Sequence, residues 1–290
     1  MSATIKHLVI SGGGPLLLNM YGALKQSNIL EMWSHDSIET YHGTSAGAVL
    51  STFMALKYDW DELDNYIINR PWQTILNFNV LNIYDYYINN GVMEQKFIYD
   101  MFSPLFKAKD IDLDIDMKTF CEMTGVSMYF YATEYSTFEI KEFSAESTPR
   151  AKILDVIYAS MAIPILFKPI MIEEKLYLDG SMLMNYPITK CLEKNKDFTT
   201  ILGIRHEMSN KSPKTEDSTN LCLLDYASNT IYKIIDKIQI EPLCENIKEI
   251  IVQAKMEDLA NFFKIANNSE DRRKMIECGA RDASNCLQLN

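Results

Sequence analysis

The chain carries a glycine-x-serine-x-glycine motif at residues 43–47, with Ser45 at its centre. The β-branched and aromatic run at 37–41 predicts a strand before the motif, and the small and apolar run after it predicts a helix. A serine between a strand and a helix is typical of a nucleophile elbow, whose turn is so tight that only small residues fit beside the serine. We therefore predict that Ser45 is a nucleophile flanked by the elbow glycines Gly43 and Gly47.

A second glycine-rich turn, made of Gly12, Gly13 and Gly14, lies between a predicted strand and a predicted helix. A dinucleotide fingerprint would need a glycine at position 17, where Leu17 stands, so the motif does not favour nucleotide binding. Two interpretations remain open. The glycines allow close packing of the strand and the helix, or their backbone N–H groups form a cradle for an oxyanion.

A serine nucleophile needs a base, and the chain offers two kinds. One is histidine: His206 gives the order Ser45, Asp179, His206, as in α/β hydrolases, and His42 lies three residues before the serine. The other is Asp179 acting directly, a role that requires burial to raise its pKa. The residues alone leave both bases open.

Predicted strands alternate with predicted helices as far as a strand at 200–205. This pattern indicates an α/β fold with a doubly wound, mainly parallel sheet and helices on both faces. Ligands of such sheets bind at the carboxyl ends of the strands. The glycine loop, the elbow and the Asp179-Gly180 turn each follow a predicted strand, so we expect them to converge on one site.

After the last predicted strand the pattern favours helices, near 220–238, 242–266 and 269–284. Apolar residues recur there at spacings of three and four, for example Ile247, Ile250, Ile251 and Ala254. We therefore divide the chain into a catalytic α/β domain, 1–208, and a helical C-terminal extension, 209–290, packed on it.

The composition argues against several classes of partner and binding site. The chain has 290 residues, a net charge of −11 and six cysteines without a C-x-x-C pair. The charge argues against nucleic acid as a partner, and the cysteine pattern argues against a zinc site. No apolar segment is long enough to span a bilayer and no signal peptide is apparent, which predicts a soluble, cytoplasmic protein with at most peripheral membrane contact. We predict no cofactor. We also predict no metal, because no histidine or cysteine pairs stand at ligand spacing and the acidic run at 110–116 lacks the glycine and glutamate of a calcium loop.

Four motifs together resemble the patatin-like phospholipases. They are the glycine loop beginning at Ser11, the elbow at 43–47, the segment 159–169, and Asp179-Gly180 followed by Asn185 and Pro187. They stand in the family's order, and the resemblance covers roughly residues 5–205. It implies a patatin-like fold, a Ser-Asp dyad without a catalytic histidine, and cleavage of ester-linked acyl chains in phospholipids or other acyl lipids.

By this resemblance, Ser45 is the nucleophile, Asp179 is the base, and the amides of Gly12, Gly13 and Gly14 form the oxyanion hole. The chain departs from the family at Leu16 and Leu17, where a basic residue and a glycine usually follow the loop. Two alternatives therefore stay open. One is a non-catalytic lipid-binding relative with an altered loop, and the other is a Ser-Asp-His triad esterase that uses His206.

The aromatic stretch from Trp72 to Tyr87 lies between the elbow helix and the next clear helix. Tryptophan and tyrosine suit a water–lipid boundary because each has an apolar body and a polar tip. We predict that this stretch is either ordinary core or an apolar flap beside the catalytic mouth.

Overall fold

A computed structural model of the chain describes residues 3–76, 88, 90–208, 223–238, 247–254 and 265–288. The helices of these ranges are α1 (Leu17–Ile29), α2 (Ala46–Ala55), α3 (Trp60–Asn69), α4 (Lys96–Ala108), α5 (Met117–Thr124), α6 (Ile153–Met161), α7 (Ile188–Lys194), α8 (Leu223–Ile238) and α9 (Ser269–Gln288). The strands are β1 (His7–Ile10), β2 (Thr40–Thr44), β3 (Gly91–Met93), β4 (Ser127–Glu134), β5 (Glu139–Phe143), β6 (Ile165–Phe167), β7 (Ile170–Ile172), β8 (Lys175–Asp179), β9 (Ile201–Met208) and β10 (Lys248–Ala254).

The central sheet has the strand order β10-β9-β1-β2-β4-β8-β7, with β5 paired to β4. The strands from β10 to β4 are parallel, whereas β5 and β8 pair with β4 in the antiparallel sense and β7 pairs with β8 likewise. β3 and β6 form a separate two-stranded sheet. The predicted mixed α/β fold with a mainly parallel sheet is confirmed.

Helices cover both faces of this sheet, and β1 shows why. Leu8 and Ile10 belong to the larger buried core, which includes residues of α1, α2 and α6. Val9 points to the opposite face and packs with Ile188 and Cys191 of α7. Because side chains alternate along a strand, an uninterrupted apolar run buries both faces of the sheet, as parallel sheets require.

The prediction of a helix over 242–266 is wrong for residues 248–254. They form β10, which pairs with β9 in a parallel register that places Ile250 opposite Ile204 and Val252 opposite His206. Ile250 and Val252 are fully buried. The apolar residues of this segment fit the spacing of a helix and also the alternation of a strand. Hydrogen bonding to β9 favours the strand. The C-terminal part of the chain is thus not purely helical, and it contributes an edge strand to the central sheet.

The predicted helices near 220–238 and 269–284 correspond to α8 and α9. α9 packs closely along α1, the helix that follows the glycine loop. Across the described ranges, no helix is both long enough and apolar enough to cross a membrane.

Candidate functional site

Ser45 occupies the sharp turn between β2 and α2, with φ 53° and ψ −119°. A positive φ strains a residue that has a side chain, and such strain is typical of functional turns. A Cβ on Gly43 would lie 2.6 Å from the backbone of Gly47, and a Cβ on Gly47 would overlap the backbone oxygen of Ile10. The two predicted elbow glycines therefore stand where the turn leaves no space for a side chain.

The register of the sheet brings Asp179 to Ser45. Thr44, the last residue of β2, lies opposite Tyr131 of β4, and Asp179, the last residue of β8, lies opposite the next residue, Ala132. Two chain segments far apart in sequence thus end side by side. The Ser45 hydroxyl donates a hydrogen bond to Asp179 Oδ2 at 2.8 Å.

Asp179 is a buried carboxyl group, with only 2% of its surface exposed. Burial raises its pKa to about 6, and hydrogen bonds from Ser181 and Ser45 oppose that rise. The Ser181 backbone N–H donates to Asp179 Oδ1 at 2.7 Å, which fixes the orientation of the carboxyl group. A carboxylate with this pKa can accept a proton near neutral pH far better than an ordinary aspartate.

The glycine loop approaches the serine closely. A Cβ on Gly12 would lie 3.3 Å from Ser45 Cβ and would overlap the side chains of Ser181 and Asn185. The Gly12 N–H already donates to the Asn185 backbone oxygen at 2.8 Å. Gly12 therefore serves the close approach, and the amides of Gly13 and Gly14 are the better candidates for an oxyanion hole.

Ser160 of α6 holds the elbow, a role that the motifs of the sequence do not assign to it. Its hydroxyl accepts a hydrogen bond from the Ser45 N–H at 2.9 Å and donates one to the Tyr131 backbone oxygen at 2.7 Å. The nearby Ala162 backbone oxygen accepts from the Asp179 N–H at 3.0 Å. One helix end thus supports both candidate catalytic residues. Ser160 lies in the family-like segment 159–169, which indicates the region but not this contact.

The two candidate histidines lie in different surroundings. His42 is fully buried, its Nδ1 lies 2.9 Å from the Tyr131 hydroxyl, and burial lowers its pKa to about 3. His206 has its Nδ1 3.5 Å from the Ser11 hydroxyl. A triad requires the imidazole between the serine and the carboxylate. The direct bond from Ser45 to Asp179 occupies that position.

A cavity of about 720 Å³ opens beside the serine and the aspartate. Its apolar wall includes Val49, Phe53, Phe97, Met161, Ile163 and Phe167. Trp72 also lines it, is buried, and donates its indole N–H to the Ile67 backbone oxygen at 2.7 Å. Trp72 is therefore part of the cavity wall, and residues 77–87 of the aromatic stretch lie outside the described residues.

Comparison with known families identifies the relatives of this fold. The model of the family described as patatin-like phospholipase matches residues 8–192, more than half of the chain. The chain belongs to the patatin-like phospholipase family. The match includes the glycine loop, the elbow and Asp179, and it ends before α8, β10 and α9.

Similar proteins include two viral sequences and one solved structure. The chain is 28% identical over 185 residues to a probable lipid hydrolase of Invertebrate iridescent virus 6, covering 63% of this chain and 62% of that protein. It is 26% identical over 187 residues to an uncharacterised protein of Acanthamoeba polyphaga mimivirus, covering 64% and 61%. Both alignments span less than two thirds of the relative. The fold is similar to that of VipD from Legionella pneumophila, with a TM-score of 0.50 and 14% identity over 95% of this chain and 67% of VipD.

Proposed function

We propose that this patatin-like protein is a serine acyl hydrolase that cleaves ester-linked acyl chains from lipids through Ser45 and Asp179. The observation that carries the proposal is the 2.8 Å hydrogen bond from the Ser45 hydroxyl to a buried carboxyl group at the wall of an apolar cavity. A nucleophile within hydrogen-bond reach of a base of raised pKa is the arrangement that covalent acyl transfer requires.

In the first half of the reaction, Ser45 Oγ attacks the ester carbonyl carbon while its proton passes to Asp179 Oδ2. The carbonyl oxygen becomes an oxyanion, and the Gly13 and Gly14 amides donate hydrogen bonds to it. Collapse of this intermediate breaks the bond to the alcohol, which leaves with the proton held by Asp179. The acyl group remains on Ser45 as an ester.

In the second half, Asp179 accepts a proton from a water molecule that attacks the acyl-enzyme. A second oxyanion forms in the same hole and collapses, which breaks the bond to Ser45 Oγ. The serine recovers its proton from Asp179 and the fatty acid leaves. Ser160 contributes by holding the Ser45 N–H, so that the strained turn keeps its shape through both steps.

The cavity supports acyl lipids as the substrate class. Its volume of about 720 Å³ lies within the range of small-molecule sites, and aliphatic and aromatic side chains make up much of its wall. Transfer of a long acyl chain from water into this cavity is favourable by about 0.8 kcal/mol for each buried CH₂ group. Because such substrates are held in bilayers or micelles, we propose transient contact with a lipid surface.

Labelling with a fluorophosphonate tests the proposal. We expect the reagent to modify Ser45 in the wild-type protein, as mapped by mass spectrometry, and to leave Ser45→Ala unlabelled. Hydrolysis of a short-chain ester and of phospholipid vesicles is expected to disappear in the same variant. Ser45→Ala that still hydrolyses esters, or a wild-type protein that binds lipid vesicles without hydrolysing either substrate, would refute the assignment.

The acid limb of the pH profile is expected to report Asp179. Below its pKa of about 6 the carboxyl group is protonated and cannot accept the serine proton, so kcat/KM should fall about tenfold for each pH unit below that value. Above it, activity should level off. The measurement is initial-rate hydrolysis of a soluble ester between pH 4 and 8, with circular dichroism recorded at each pH. A midpoint near 4 with intact structure would mean that burial does not tune the base.

Substituting His206 separates the dyad from a triad. His206→Gln is expected to keep kcat within about tenfold of wild type, whereas loss of a general base costs about 10²–10⁴. The same soluble ester serves as substrate, and the melting temperature shows whether the variant is folded. Collapse of kcat in a folded His206→Gln protein would favour the triad.

A further inference from the structure

Tyr232 of α8 reaches the glycine loop from outside the part of the chain that the family model matches. Its hydroxyl oxygen lies 3.1 Å from the position that a Cβ on Gly14 would take, and two ring carbons lie within 3.8 Å of the same point. Tyr232 also lines the cavity that contains Ser45 and Asp179. A phenol group therefore stands directly against the loop that approaches the serine.

The loop leaves space for a side chain from another element next to Gly14. Gly14 has φ +49°, a conformation that favours glycine, and its missing side chain leaves the space next to the Tyr232 hydroxyl. Leu16, two residues further on, is buried and carries no hydrogen-bond donor in its side chain. Polar side chains reach this loop from two other elements: β9 supplies His206, whose Nδ1 lies 3.4 Å from the position of a Cβ on Gly13, and α8 supplies Tyr232 beside Gly14.

The surroundings keep the phenol in its donor form. Burial raises the pKa of Tyr232 well above its ordinary value, and the nearby negative charge of Asp179 raises it further. The hydroxyl proton is consequently retained through the neutral range. A neutral donor on a protein wall, where the effective dielectric constant is lower than in bulk solvent, stabilises a developing negative charge more strongly than it would in water.

We propose that the Tyr232 hydroxyl donates a hydrogen bond to the oxyanion that forms at the glycine loop, together with the Gly13 and Gly14 amides. The inference rests on the proposed acyl hydrolase function and adds a catalytic residue to it. It also gives α8 a part in the reaction.

Tyr232→Phe tests the inference because it removes the hydroxyl and keeps the ring. Loss of one oxyanion donor costs about 10²–10³ in kcat in enzymes where this has been measured, so we expect a fall of about 10² with KM changed by less than about threefold. The affinity for a trifluoromethyl ketone, whose adduct with Ser45 carries an oxyanion, should fall by a similar factor. The substrate is a soluble short-chain ester.

Two control variants on α8 separate the hydroxyl from packing. Tyr226 is 62% exposed, so Tyr226→Phe makes the same chemical change away from the cavity and should keep wild-type kcat. Ile231 packs against the core and does not line the cavity, so Ile231→Ala should lower the melting temperature more than Tyr232→Phe and lower kcat less. If Ile231→Ala lowers kcat as much as Tyr232→Phe does, packing explains the loss and the inference is overturned.

The remaining outcomes also decide the question. Tyr232→Phe with kcat within threefold of wild type, or with a change confined to KM, overturns the role at the oxyanion while Ser45 and Asp179 keep theirs. A wild-type protein that neither hydrolyses esters nor reacts with a fluorophosphonate at Ser45 overturns the proposed function itself, and this inference with it. Parallel losses in kcat and in ketone affinity, with the Tyr226→Phe control unaffected, support it.

Discussion

Asp179→Asn is expected to remove nearly all ester hydrolysis and, at the same time, to raise the stability of the protein at neutral pH. The amide cannot take the proton that Ser45 Oγ must lose, and loss of a general base costs about 10²–10⁴ in rate. The stability gain arises because a carboxylate buried to 2% exposure is replaced by a neutral group that can still accept the Ser181 N–H.

The sign of the stability change follows from the pKa. Burial raises the pKa of Asp179 from 3.8 to about 6, so the folded state favours the protonated form and ionisation destabilises it as pH rises through 6. A shift of about two units corresponds to roughly 3 kcal/mol at pH 8, and the cost fades toward pH 4. The melting temperature of Asp179→Asn should therefore exceed that of the wild type at pH 8, and the two melting temperatures should be similar at pH 4.

The comparison that checks this prediction is a set of melting curves at pH 4, 6 and 8, with kcat measured at pH 8. Asp36→Asn is the matched control, because Asp36 is exposed and its replacement should change neither quantity appreciably. The double variant Ser45→Ala with Asp179→Asn should be little less active than either single variant, since residues that act as a unit are not additive. Full activity in Asp179→Asn, or a lower melting temperature at pH 8, would contradict the argument.

The convergence of the glycine loop and the elbow could be predicted, because both follow strands of the parallel part of the sheet. The rule that ligands bind at the carboxyl ends of parallel strands is sufficient to place the loop near Ser45, but it does not apply to Asp179, since β8 runs antiparallel to β4. The direct Ser45–Asp179 contact could not be predicted in this way. It depends on β8 pairing antiparallel to β4 so that Asp179 stands opposite Ala132, and register is a property of the assembled sheet.

The C-terminal region shows the opposite case, because its local pattern supported two structures. Ile247, Ile250, Ile251 and Ala254 fit one face of a helix, whereas Ile250 and Val252 fit one face of a strand. The segment forms a strand because it can hydrogen-bond to the edge of β9. The sequence of the segment does not show that this edge is available. The position of Tyr232 could not be predicted for a related reason, since a tyrosine among apolar residues on a helix is typical of core packing.

The contact between α1 and α9 predicts the second large effect. Gly22 of α1 faces α9, and a Cβ on it would overlap the backbone oxygen of Ile276. Gly279 of α9 faces α1, and a Cβ on it would overlap the backbone oxygen of Asn19. Reciprocal glycines let the two backbones approach closely. Because the overlap involves backbone atoms, a side chain at either position has to separate the helices.

Gly279→Val is therefore expected to destabilise the protein by about 3 kcal/mol or more. Overpacking a close contact typically costs 1–3 kcal/mol, and two further methyl groups placed against the backbone of α1 should bring the effect to the upper end of that range. A loss of this size lowers the melting temperature of a chain of this length by roughly 6–12 °C. The kcat of the folded fraction should fall as well, since α1 begins three residues after Gly14 and any shift of its axis displaces the glycine loop.

Glu277→Val is the matched control, because it places the same β-branched residue on the exposed side of α9 two positions away. It should change the free energy of unfolding by less than about 1 kcal/mol and leave kcat as in wild type. Urea unfolding of the two variants, followed by circular dichroism, gives the comparison, and ester hydrolysis well below the melting temperature gives kcat. If Gly279→Val is as stable and as active as Glu277→Val, α9 is an appended helix whose packing does not position the catalytic loop. If only Gly279→Val loses both properties, the last helix of the chain acts on the reaction through α1.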